Sequence, residues 1–180
     1  VVVLSSHTKF IPVDASCRIL GSVTTLSGQV YEAVRKETSM ATSIKPPEGE
    51  SDAHADYWDE SVVQNGFRWS MESGLSRTLL MARFLDTLVK RPWYEARLFV
   101  ESAIAAEDAR ALDQLKTVVP AADTSRFIFV GSHWRAELYR SLIRYIGSDS
   151  EVFSIGDPGE IDLLSIDGVV SIAARAGILT

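Results

Sequence analysis

Short runs of β-branched and aromatic residues open the chain. Residues 1–4, 10–13 and 17–24 read as strands, joined by polar turns over 5–9 and 14–16. Connections this short predict a three-stranded antiparallel meander. Ser27 stands where it can cap a helix running to about Met40, with Val30, Tyr31 and Val34 on one face. Residues 42–59 are acidic, poor in apolar side chains and broken by Pro46, Pro47 and Gly49, which predicts an exposed, mobile loop. Helical spacing returns over about 60–72, 75–90 and 93–116, with Leu75, Leu79, Ala82 and Leu85 on one stripe and Pro92 at the third entrance.

The last third changes rhythm. Residues 126–130 read as a buried strand ending at Gly131, and Ser132 caps a helix with Leu138, Leu142 and Ile146 inward. Gly147 stops that helix. Residues 151–155 form another strand, and Asp157, Pro158 and Glu160 mark the start of a final helix to about Ala176. The expected architecture is α/β, with the meander joined by parallel strands at 127–130 and 152–155 in one mixed sheet. Helices cover both faces, and residues 60–116 form a helical insertion. This is the order of the ribonuclease-H-like fold.

Composition narrows the function. The chain has 180 residues, a one-domain length, with 46% hydrophobic and 23% charged residues. A net charge of −6 argues against nucleic acid as the main partner, while leaving room for a small anion at one loop or helix end. No apolar run reaches membrane-spanning length. The single Cys17 lies in a strand-like run, so an inert buried thiol in a reducing, cytoplasmic setting is expected. No signal peptide is expected, and a start at Val1 without Met suggests a trimmed or partial chain.

Three corners offer chemistry. Ser5-Ser6-His7-Thr8-Lys9 is either a plain polar turn or a phosphate hairpin, in which hydroxyls and backbone N–H groups meet phosphoryl oxygens and Lys9 neutralises charge. At the strand-to-helix junction Gly131-Ser132-His133-Trp134, Gly131 permits close backbone approach, and His133 or Trp134 can face a nucleobase. Gly156-Asp157-Pro158 is a similar corner that helix capping explains fully. His7, His54 and His133 are too scattered to suggest a metal site, so no metal-binding residue is expected. The four tryptophans are expected to pack.

Several stretches together resemble the carboxyl-terminal lobe of the 2-keto-3-deoxy-galactonate kinases, members of the sugar-kinase, hsp70 and actin superfamily. Residues 3–11 are similar to that family's phosphate hairpin, P-G-T-H-S/C-K-W-V, and residues 24–29 to its T-x-x-T-G-E segment. Residues 99–108 lie where the family carries S-G-L-L-I-G-x-E, and residues 130–139 follow its strand-Gly-Ser-helix with an L-x-x-x-Y run. The tail from Gly156 to Ala173 resembles its closing G-D-x-A helix. The resemblance is collinear over nearly the whole chain.

It implies ATP-dependent phosphorylation of a 2-keto-3-deoxy sugar acid in a cleft between two lobes, this chain being the second. By resemblance His7 and Lys9 are catalytic, and Ser5, Ser6 and Thr8 hold phosphate. Gly131, Ser132, His133 and Asp108 bind nucleotide, Ser27, Gly28 and Gln29 face substrate, and Mg²⁺ arrives through the first lobe. The chain departs from the family at Leu4-Ser5, Gln29, Ser102 and Ala106, the last two adding bulk where nucleotide would approach. A divergent, non-catalytic binding or scaffold module is the alternative, and metal-dependent hydrolysis ranks last. An inter-lobe surface near Leu4 and Trp134 would leave room for self-association.

Overall fold

A computed structural model describes residues 1–49, 53–120, 122 and 124–178. Five strands form one sheet in the order β3-β2-β1-β4-β5. β1 (Val2–Leu4), β2 (Thr8–Phe10) and β3 (Val23–Thr25) are the antiparallel meander. β4 (Arg126–Gly131) lies parallel to β1, and β5 (Glu151–Ile155) parallel to β4, as the alternation at the chain's end requires.

The meander's registers differ from the expected ones. Leu4 pairs with Thr8, so the first turn contains only Ser5, Ser6 and His7, and Thr8 and Lys9 belong to β2. Pro12 brings no N–H to extend a ladder, and beyond it Asp14 folds the chain back. The Asp14 carboxylate accepts from the backbone N–H of Ser16 and of Arg18 at 2.8 and 2.9 Å, closing a local turn that leaves an isolated bridge between Val13 and Ile19. Cys17 sits in that turn at φ 59°, exposed rather than buried in a strand.

Alternation sorts the sheet. Val2, Leu4, Phe10, Phe127 and Phe129 point to one face and build the main core with Leu98, Ala105, Leu112, Leu138, Tyr139 and Leu142. Those partners come from α4 (Trp93–Val118) and α5 (His133–Tyr145). α2 (Glu60–Ser73) adds Val63 and Phe67. A second cluster joins Val34 of α1 (Ser27–Glu37), Ala82 of α3 (Leu75–Thr87) and Ala96, Val100 and Ile104 of α4. α4 therefore belongs to both cores. α6 (Pro158–Arg175) lies on the other face against β4 and buries none of its residues. Leu163, Ile166, Val169 and Ile172 of α6 stay exposed, as does Phe153 of β5. Leu4, expected on an open inter-lobe surface, is only 4% exposed.

Residues 42–59 depart from a simple exposed loop. Ala41–Ser43 form a 3₁₀ turn, Ile44 is 1% exposed within the second core, and the Ser43 hydroxyl donates to Asp86 at 2.8 Å. At the far end Arg97 donates to the carbonyls of His54 and Ala55, and the His54 ring lies 4.2 Å from that of Tyr94. Residues 47–49 and 53–56 are exposed, and the expectation for residues 50–52 lies outside the described residues.

Helix ends follow mostly from local chemistry. Asp59, Ser132 and Asp157 each accept backbone N–H groups at the start of α2, α5 and α6. Ser27 does not cap: α1 begins after Leu26, and the Ser27 hydroxyl turns inward.

Ser102 of α4 packs where Gly66 of α2 leaves room. A Cβ on Gly66 would stand 2.6 Å from the Ser102 Cβ and 2.7 Å from the Phe99 carbonyl oxygen. Gly66→Ala should therefore destabilise the chain by about 1–3 kcal/mol, read as a lowered urea midpoint with an unchanged m-value.

Candidate functional site

Around the carboxyl end of β1, the hairpin tip and three helices converge on a pocket of about 520 Å³. The hairpin tip supplies Ser5 and Ser6, and the first turn of α1 supplies Ser27, Gly28 and Gln29. α5 contributes Trp134, Arg135, Leu138 and Tyr139, and α4 contributes Glu101, Ile104 and Ala105. Tyr31 and Glu32 complete the α1 wall.

A buried chain of hydroxyls lies under the tip. Thr8 Oγ1 is 2.6 Å from Ser27 Oγ and 3.1 Å from the Tyr139 hydroxyl, and Tyr139 donates a short hydrogen bond to the Asp108 carboxylate. Burial, with the Asp108 charge second, pushes the Tyr139 pKa above its usual value, so the phenol keeps its proton. Arg135 Nη2 donates to Thr8 Oγ1 at 3.2 Å, and Nη1 donates to the Ser5 carbonyl. The guanidinium thus ties the tip to α5. Ser5 turns its own hydroxyl to the His7 carbonyl at 3.1 Å, and Ser6 Oγ lies 3.0 Å from His7 Nδ1. Among the described non-glycine residues only Cys17 and Lys90 have positive φ, so Ser5 at the hairpin tip carries no left-handed strain.

Gly28 shows why a side chain is excluded at the start of α1. A Cβ there would stand 2.4 Å from the Ser5 carbonyl oxygen and 2.8 Å from the Ser6 Cα. The Gln29 N–H donates to the Ser6 carbonyl at 2.9 Å, so the helix start and the hairpin tip are stitched backbone to backbone.

Glu101 is a carboxyl within an apolar stretch of α4. Trp134 Nε1 donates to it at 2.8 Å, and Tyr31 lines the same pocket. Burial raises the Glu101 pKa, and the Trp134 hydrogen bond and the charges of Arg97 and Arg135 only partly offset it.

Of the expected site residues, Ser5, Ser6, Ser27, Gly28 and Gln29 line the pocket, and His7 stands beside Ser6 at the tip. Thr8 is 0% exposed, and its hydroxyl serves the buried chain, so it does not face a ligand. Lys9 alternates with Thr8 along β2 and points to the opposite sheet face, away from the pocket. Asp108 is 1% exposed and holds Tyr139 in the core, which removes it from a nucleotide-contacting role. Gly131, at φ 154°, lies where a Cβ would meet the Leu4 carbonyl oxygen at 2.5 Å, so close strand approach is what requires it. Ser132 caps α5. His133 lines a neighbouring depression of about 330 Å³ with Asp56, Trp58, Trp134 and Glu137. Trp134 is half-buried between the two, 5.3 Å from Trp58 edge to face. Ser102 and Ala106 are buried and do not narrow the pocket.

Sequence reasoning missed Arg135 and Glu101. The available signals were an arginine three residues beyond the cap Ser132 and one turn before Tyr139, and a lone carboxylate between Val100 and Ile104 on an apolar helix.

The mixed five-stranded sheet flanked by helices is an α/β fold with a ligand-sized pocket around its hairpin tip. Among solved structures the chain superposes on a Sinorhizobium meliloti protein assigned as a 2-dehydro-3-deoxygalactonokinase, with a TM-score of 0.69 and 17% identity. The match covers 99% of this chain and 54% of that one, so the chain spans about half the length of that protein. No family model and no curated protein matches the sequence.

Two measurements test this geometry. Tyr139→Phe removes a donor from the buried Asp108 carboxylate and should cost about 1–3 kcal/mol in urea unfolding, Asp108→Asn costing less because it keeps an acceptor. With a pKa raised above the ordinary Glu value of 4.5, Glu101 keeps its proton longer in the folded chain than in the unfolded one. Its contribution to stability is full below that value and declines as pH rises through the raised one. Glu101→Gln should remove this slope in a pH series of unfolding midpoints.

Proposed function

We propose that this chain is the carboxyl-terminal lobe of an ATP-dependent kinase for a 2-keto-3-deoxy sugar acid. The observation that carries the reading is the pocket where the hairpin tip, the first turn of α1 and Arg135 converge. The Ser5 and Ser6 hydroxyls, the positive end of α1 and the Arg135 guanidinium suit phosphoryl oxygens, and His7 at the tip stands ready to meet the transferred group. Ser27, Gly28 and Gln29 form the side offered to substrate. A pocket of about 520 Å³ with the Arg135 guanidinium in its wall supports a nucleotide as the ligand. Mg²⁺ is assigned to the phosphates and the other lobe.

A non-catalytic module of the same fold is the second reading. It is favoured by the tip's use of its own groups: Arg135 is drawn onto Ser5 and Thr8, and the Ser5 hydroxyl onto His7.

Phosphoryl transfer needs positioned groups on both sides of the phosphate. The 180 residues alone should therefore bind ATP weakly, with a Kd of about 1 mM, and should not phosphorylate 2-keto-3-deoxy-galactonate in a coupled assay. A titration with Mg-ATP, followed through backbone amide shifts, should move the Ser5–His7 and α1 signals. Turnover by this chain alone would sink the half-kinase reading, and silence at those residues up to about ten times that Kd would remove the nucleotide.

A further inference from the structure

The geometry points to Glu101 as the residue that reads the nucleobase, its carboxyl accepting a hydrogen bond from the exocyclic amino group of an adenine ring. This rests on the nucleotide reading above and adds the orientation of the base and the group that selects it.

The pocket's polar groups differ in the ligand groups they suit. Arg135 and the Ser5, Ser6 and Ser27 hydroxyls gather at the hairpin, Glu32 on the α1 wall is engaged by Arg35 and Lys36, and Glu101 faces the same space from α4. The guanidinium and hydroxyl donors suit phosphoryl oxygens, so phosphates go to the hairpin and the base goes to the carboxyl. Between them Ile104, Ala105 and Leu138 offer apolar surface suited to a flat ring.

Glu101 is also oriented. Trp134 Nε1 donates to its Oε2, and Tyr31 on α1 faces the same pocket. One donor on a group with about four acceptor sites orients it and leaves acceptor capacity for a ligand. The charged and titratable groups that act on it are Tyr31 from α1, Arg97 from its own helix and Arg135 from α5. Burial favours the protonated form, but either form keeps an oxygen that accepts from an amino group. The selection therefore concerns the amino group itself and does not require one charge state.

The experiment compares ATP with the triphosphate of purine riboside, which is the same nucleotide without the 6-amino group. Binding to the 180-residue chain is followed through the Trp134 indole N–H signal, a reporter on Glu101 readable at millimolar affinity. The wild-type chain should bind ATP about tenfold more tightly, since a site built to accept from a donor rejects the analogue lacking it. Glu101→Gln retains a carbonyl oxygen and should keep most of that ratio. Glu101→Ala should bring it close to one, with the dispersion of the other indole signals reporting that the variant is folded. Equal binding of the two nucleotides by wild type, or an unchanged ratio in Glu101→Ala, overturns the base assignment and leaves the nucleotide reading standing. No response to either nucleotide overturns both.

Discussion

The buried hydroxyl of Thr8 is the contact on which the hairpin, the pocket wall and the start of α1 all depend. Its partners come from two other elements, Ser27 from α1 and Tyr139 and Arg135 from α5, and Asp108 of α4 stands behind Tyr139. A hydroxyl with no access to water is costly to leave unpaired, and a buried carboxylate costs more. The set is therefore satisfied together or not at all, which fixes β2 against α1, α4 and α5 at one point. Thr8 opposite Leu4 leaves only three residues for the turn, and that short turn holds Ser5 and Ser6 over the pocket.

Much of the fold was legible in the chain's rhythm. Parallel strands separated by a capped helix could be read from Phe127 to Ile155, because Ser132 and Gly147 bracket α5 and β-branched or aromatic residues flank it. The meander was legible as three strands but not in register. Its registers are decided by tertiary partners of Thr8 and by the Asp14 turn, and neither leaves a periodic trace. Ser27 misled for the same reason: a serine before an apolar run has the pattern of a cap, yet its hydroxyl bonds a strand 19 residues away. Ile44 was invisible because one apolar residue beside two prolines has no period, although it fills the second core.

The candidate site was legible in part. The hairpin and the α1 start are local in sequence, and a collinear resemblance reaches them. Glu101 and Arg135 enter from helices distant in sequence, so only the packing of α4 against α1 and α5 shows that they share a pocket. Lys9 fails by parity: moving the turn boundary to His7 puts it on the face opposite Thr8.

The departures from the family's glycines separate packing from binding. Ser102 does not obstruct a ligand: it faces α2, where Gly66 makes the space that Ser102 fills. Ala106 likewise lies in the main core. Changes of this kind are confined to the contact between helices and leave the pocket's outline intact. At Gly28, by contrast, the 2.4 Å approach to Ser5 allows no exchange, since the obstructing atom is backbone. Glu101 stands apart from both cases. An apolar residue in its place would remove a desolvation cost and pack well against Ile104 and Ala105, so stability alone does not account for a carboxyl there. A half-buried carboxyl that is oriented by Trp134 and open to a pocket is better explained by what enters that pocket than by what surrounds it.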